Sequence, residues 1–282
     1  MRVCASICAD YKKTIQEETM NIAVLIKQVP VSNDVSVDPE THALVRASSE
    51  GMVNPADLNA IEEAMLLKEQ TGGKVVVFTM GPPDAEKALR DAMALGCDES
   101  CLVTDRAVAG GDTVATAKVL AAAIKKYGEF DLILGGALSA DGATGQVGAM
   151  VAECLDIPHV VEAQGMKYDA AEADKIVAVK KFHDKKLSIR CSLPAMISFN
   201  FGCNEPRLAT LRTKRAAKTK PLVTYTNADL SLPLDEVGIA GSPTTVVDSF
   251  SPKAGRKAAM LEGTPAELAK KLKDLIEEEK GK

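Results

Sequence analysis

Tryptophan is absent from this sequence, and aromatic residues make up only 4% of it. Proteins that hold single-stranded nucleic acid stack bases on aromatic rings beside basic grooves. A formal charge of −5 and a pI near 5.4 supply no such groove, so no nucleic-acid partner is expected. Histidine is scarce too: His42, His159 and His183 lie too far apart in sequence to form a ligand motif. Among seven cysteines no C-x-x-C pair occurs, although Cys4 and Cys8 share one spacing with Cys97 and Cys101. These thiols read as small core residues and not as a metal centre or a disulfide framework. Their odd number and the lack of export features point to the reducing cytoplasm. No apolar run approaches the roughly 18 residues of a membrane span, and residues 1–19 carry charged YKK and QEE stretches where a signal peptide would be apolar. A catalytic set is also missing. There is no G-x-S-x-G elbow, and no histidine placed near a cysteine or serine to suggest a triad. A protein without acid–base residues would still be active if a bound cofactor carried the chemistry.

What the sequence does contain is a regular alternation. Its 46% hydrophobic and 26% charged residues are those of a folded soluble protein of 282 residues. Residues 1–19 read as an N-terminal extension or a start assigned too early. From Met20, buried strands (residues 21–27, 74–79, 101–104 and 130–134) alternate with helices (from Asn54-Pro55 to Gly72, 84–95, 112–127 and 149–155). This predicts an α/β fold over residues 20–220, a doubly wound parallel sheet with helices on both faces. A β-hairpin is expected around His183-Asp184-Lys185 and a further strand at 195–201. Beyond Pro221 the periodicity fades into an extended arm, residues 221–282, expected to contact a partner subunit and ending in an amphipathic helix at 265–279 whose apolar stripe suits its own core or a partner subunit equally.

The segment 130–148, FDLILGGALSADGATGQVG, runs from a strand through a loop of small residues into a helix. Small residues let backbone N–H groups approach a phosphate, and the helix start adds positive potential. Gly142, Gly145 and Gly148 supply the freedom, while Thr144 and Gln146 offer side-chain donors. The pattern is neither the Rossmann fingerprint nor a Walker loop. Alone it reads as a phosphate cradle or as a plain turn. Two further loops fall at predicted strand ends, Met80-Gly81-Pro82 and 105–116 (DRAVAGGDTVAT), and three such loops on one sheet edge favour a nucleotide site.

Five motifs in order, NIAVLIKQVP, NP-x-D from Asn54, MGPP from Met80, DGATGQVG from Asp141 and NEPR from Asn204, resemble the beta subunit of electron-transfer flavoproteins. The likeness runs from about Met20 to the C-terminus. It implies an adenine nucleotide bound by Leu25, Asn54, Met80 and Gly81 around the adenosine, and by Asp141, Gly142, Thr144, Gly145, Gln146 and Val147 around the phosphates. It implies an alpha subunit carrying its own FAD. It also implies docking onto a flavin dehydrogenase through the stretch 200–207, with Phe201 as apolar anchor beside Asn204, Glu205, Pro206 and Arg207; from the residues alone, Phe201 reads equally as core.

Simple carriers of the family hold AMP in the beta site, whereas bifurcating and nitrogen-fixation-linked members hold a second FAD. DRAVAGGDTVAT and Gly241-Ser242-Pro243-Thr244 resemble the FAD-binding type and place Asp112, Thr113 and Thr116 near the flavin or ribityl end. In that type, electrons from NADH divide between the alpha-subunit flavin and a low-potential ferredoxin or flavodoxin. The chain departs from the family pattern at 137–144, which lacks a basic residue, a Gln and a second Asp, and at Val108 where a Phe is usual. A nucleotide-responsive module similar to universal stress proteins, binding ATP, is the competing class; the long arm and the docking-like loop weigh against it.

Overall fold

Ile22–Leu25 (β1) is buried at every position, and its side chains part to opposite sides. Ile22 and Val24 enter one apolar cluster, Ala23 and Leu25 another. A strand covered on both faces requires this continuous burial. The computed structural model describes residues 19–31, 36–37, 44–45, 51–248 and 260–280. Of the N-terminal stretch 1–19, only Thr19 falls within them.

Four short strands follow β1: β2 (Gln28–Pro30), β3 (Ser36–Val37), β4 (Leu44–Val45) and β5 (Gly51–Val53). β2 pairs antiparallel with β5, and β3 with β4. The chain then runs through α1 (Pro55–Thr71), β6 (Val75–Met80), α2 (Glu86–Ala94), β7 (Glu99–Val103), α3 (Thr113–Tyr127), β8 (Leu132–Gly136) and α4 (Val147–Leu155). After these come β9 (His159–Tyr168), β10 (Lys175–Phe182), β11 (Lys185–Ser192), β12 (Ala195–Phe199), α5 (Leu211–Ala217), β13 (Leu222–Tyr225), α6 (Asn227–Leu230) and α7 (Pro265–Lys280).

Among the described residues the main sheet has the order β11-β10-β9-β12-β8-β1-β6-β7-β13. From β9 to β13 every neighbouring pair is parallel, while β10 and β11 add an antiparallel hairpin at the edge. Side chains from α1, α2 and α5 join the cluster on one face, and those from α3 and α4 join the other. The sheet is therefore wound on both sides, as the alternating pattern predicts. From β1 the chain moves outward to β6 and β7, then returns to lay β8 on the opposite side of β1. α1, after β1, covers one face, and α4, after β8, covers the other. The carboxyl ends of these adjacent strands thus part company, which opens a crevice where α/β sheets receive ligands.

Three elements carry no clear sequence signal. β9 begins parallel to β12, then continues as the antiparallel partner of β10, and its register slips on both sides. Its bend sits at Glu162 (φ 59°), so neither alternation nor continuous burial survives along it. β13 is a four-residue strand and α5 a seven-residue helix, both too short to show a period. The chain divides into two compact units with the boundary between Thr245 and Val246. In the second, α7 extends Pro265–Lys280, with Thr264 and Glu267 bonded at its start. Among the described residues no helix is long and apolar enough to cross a membrane, and no group of three or more His, Cys, Asp or Glu could hold a metal.

Candidate nucleotide site

The crevice is organised by the acid of the NP-x-D motif, to which the sequence reading gives no role of its own. Asp57, in the first turn of α1, is 5% exposed. It accepts hydrogen bonds from the Lys27 N–H at the end of β1 (2.7 Å), the Gly136 N–H at the end of β8 (3.1 Å) and the Asn54 amide (2.9 Å). One side chain therefore ties both diverging strand ends to the helix between them. Burial pushes the Asp57 carboxyl up to about 7, against the pull of its three donors. Gly136 must be glycine for this contact, because a Cβ there would collide with Asp57 Oδ1 and the Ala56 backbone.

Asn54 is 2% exposed and faces the loop after β8. Its Nδ2 donates to the Leu138 carbonyl (3.0 Å) and its Oδ1 accepts from the Ala140 N–H (3.0 Å). Asn54 thus shapes the loop. The loop turns back on itself through the Ala143 N–H to Ser139 carbonyl bond (2.8 Å). Ala143 (φ 48°) and Gly145 (φ 65°) lie in the left-handed region. For alanine this costs about 1–2 kcal/mol, a local strain held by the surrounding bonds. Residues 142–146 are exposed. None of the described residues accepts from the backbone N–H groups of Gly142, Thr144, Gly145, Gln146 or Val147. They open onto the start of α4, where helix geometry leaves donors unsatisfied. Such a set fits phosphate oxygens. Asp141 is turned inward, its side chain 4% exposed, and pairs with Lys27 Nζ at 2.6 Å.

The neighbouring strand ends complete the edge. Leu25 is 8% exposed at the end of β1. Met80 closes β6, and the Gly81 N–H donates to the Val103 carbonyl (3.0 Å). Across the loop, Thr113 Oγ1 donates to Gln146 Oε1 (3.0 Å), joining the starts of α3 and α4. Thr116, half-buried, donates its N–H to the Asp112 carbonyl. Asp112 is fully engaged by protein groups. Its Oδ1 caps α3 through the Val114 and Ala115 N–H groups, and its Oδ2 accepts from the Thr244 N–H and hydroxyl (3.1 and 2.8 Å). Its own N–H donates to Ser242 Oγ (2.8 Å). Burial acts to raise its pKa, but the bonds from Ala115, Thr244 and Val114 outweigh it and hold the carboxyl below its ordinary value. The two motifs 105–116 and 241–244, far apart in sequence, are thereby brought together.

On the other side of α1, the loop after β12 is held by a set of polar bonds, with Cys203 and Ala209 packed against the core. Asn59 and Asn204 exchange three hydrogen bonds of 2.6–3.0 Å, Asn204 reaches Glu63, and the Gly202 N–H donates to Asn59 Oδ1. Arg207 grips Glu62 through Nε (2.8 Å) and Nη2 (3.0 Å), and Glu69 through Nη1 (2.7 Å). Glu205 is exposed and Pro206 half-buried. This clamp leaves Phe201 76% exposed, followed by Leu208 at 91% and Leu211 at 81%. Phe201 is therefore a surface side chain and not core. Asn59, Glu62 and Glu63 form a second, polar buried face of α1, with Glu69 exposed at its edge; the sequence reading, which followed the apolar positions of this helix, gives them no role. Lys27 was visible only as the residue ending an apolar run.

Comparison with known proteins agrees with this geometry. Residues 41–230 match the family model described as electron transfer flavoprotein domain. The chain is 41% identical over 254 residues to the electron transfer flavoprotein subunit beta of Thermoanaerobacterium thermosaccharolyticum, covering 90% of this chain and 96% of that one. It is 37% identical to the caffeyl-CoA reductase-Etf complex subunit CarD of Acetobacterium woodii, covering 87% and 93%. With protein FixA of Azotobacter vinelandii the identity is 38%, covering 86% and 88%.

Proposed function

The chain belongs to the electron transfer flavoprotein family as a beta subunit, and on that premise we propose that it joins an alpha subunit to carry electrons between a flavin dehydrogenase and a second acceptor. The observation that carries this reading is the set of unengaged N–H groups from Gly142 to Val147 at the crevice between β1 and β8. They suit the phosphates of an adenine nucleotide, with Leu25, Met80 and Gly81 bordering its adenosine and Asn54 holding the loop in shape. FAD is favoured over AMP in this site. The support is the joining of 105–116 to 241–244 through Asp112, since both segments belong to the FAD-type pattern and here build one wall.

Bound there, a flavin supplies one- and two-electron redox chemistry. The chain's own residues hold the phosphates and wall the site with the segment 238–244. In this form NADH is the donor, ferredoxin or flavodoxin the low-potential acceptor, and a second FAD sits on the alpha subunit. The relative named for a caffeyl-CoA reductase complex supports a partner enzyme of that kind. Phe201, displayed by the clamp on α1, is read as the anchor for the dehydrogenase. Family membership sets aside the stress-protein type of ATP module.

Co-expression with the alpha subunit tests the reading. A yellow heterodimer with two FAD per dimer is the expected product. One FAD with one AMP would contradict the FAD site and leave a simple carrier, and a colourless monomer carrying ATP would contradict the function.

A further inference from the structure

Lys27 lies between the end of β1 and the start of β2, at the mouth of the crevice, and its backbone is pinned on both sides. Its N–H donates to Asp57 Oδ2 (2.7 Å), and its carbonyl accepts from the Asn54 N–H (2.9 Å). The side chain therefore starts from a fixed point. Its Nζ reaches Asp141 Oδ1 at 2.6 Å and Ser139 Oγ at 3.4 Å. A Cβ added to Gly142 would stand only 3.9 Å from it.

Burial separates the two charges. The Asp141 side chain is 4% exposed and that of Lys27 42%, so the carboxylate lies inside the loop and the ammonium at its opening. An ammonium carries three N–H donors, and Asp141 and Ser139 account for two of them. Beside it lie the unengaged N–H groups that begin at Gly142. Backbone amides give direction to a phosphate but bear no net charge, whereas an ammonium forms the shorter and stronger charge-assisted bond.

We propose that Lys27 is a direct phosphate ligand of this site, held in position by Asp141, and that it discriminates phosphorylated adenosines from adenosine itself. The proposal rests on the nucleotide reading of the 136–147 loop and adds a cation supplied from a different strand. A search for a lysine within the loop sequence, as in a Walker motif, does not find it.

The test uses the full-length chain freed of copurified nucleotide, titrated calorimetrically with ADP and with adenosine. Lys27→Met is expected to weaken ADP binding by about tenfold or more while adenosine affinity stays within about twofold, and Lys27→Arg should recover most of the loss. Unchanged ADP affinity in Lys27→Met would overturn the proposal. An equal loss for ADP and adenosine would also overturn it, since that is the signature of a merely structural lysine. If the unaltered chain binds adenosine but not ADP, the proposal falls and an adenosine site stands. If it binds neither, the nucleotide reading falls first and the proposal with it.

Discussion

A carboxylate that accepts three hydrogen bonds is best served in its ionised form, yet Asp57 is buried deeply enough for desolvation to win. Its carboxyl therefore titrates near neutrality, about 7 against an ordinary 3.8. The sign of the linkage follows. Between these values the folded chain retains a proton that the unfolded chain releases, so this group's contribution is full below 3.8 and is lost as pH rises through 7. Asp57→Asn removes that dependence while costing the loop an acceptor. Urea unfolding of the two proteins should show the wild type's advantage shrinking from pH 5 to pH 8 by at least about 1 kcal/mol, one pK unit being worth about 1.4. A gap that stays constant with pH would mean Asp57 is not protonated in this window. The sequence shows an acid in the first turn of a helix, where the ordinary explanation is the helix dipole. Its true partners come from β1 and β8, 30 and 79 residues away, and local reading has no means of seeing them.

At the level of elements, α1 explains why its own pattern is hard to read. It buries Ile61, Ala64 and Met65 against the sheet, and Asn59, Glu62 and Glu63 against the loop after β12. A helix covered on two sides shows no single apolar stripe. Its start at Asn54-Pro55 and its stop at Gly72 are local signals, and both were legible. Burial of Glu62 works to raise its carboxyl, but the Arg207 bonds prevail and keep it ionised below its ordinary range. The loop is thus anchored by charge and hydrogen bonds, with only the small Cys203 and Ala209 packed against the core, and its one large aromatic faces outward. In the assembled complex, Phe201→Ala should lower kcat/KM for reduction by the dehydrogenase about tenfold or more. Flavin content should be unaltered and chain stability should move by less than about 0.5 kcal/mol. Unchanged kinetics would remove Phe201 from the docking surface.

At the scale of the whole molecule, the parallel sheet was legible because β1, β6, β7 and β8 are short, largely buried runs that alternate with helices. The position of the site within that sheet was not. It depends on β8 landing beside β1 and not beside β7, and no residue in either strand announces its neighbour. The loop 136–147 gains its meaning from that placement, because the same glycines at another strand end would be only a turn. The link from Asp112 to Ser242 and Thr244 is likewise a product of the fold, joining two segments whose sequences suggested a common role but not a contact. The most direct measurement is the backbone amide spectrum of the isotope-labelled, nucleotide-stripped chain as AMP or FAD is added. The largest shifts should fall on Gly142, Thr144, Gly145, Gln146 and Val147. Tight binding that leaves these amides unmoved while others respond would contradict the account.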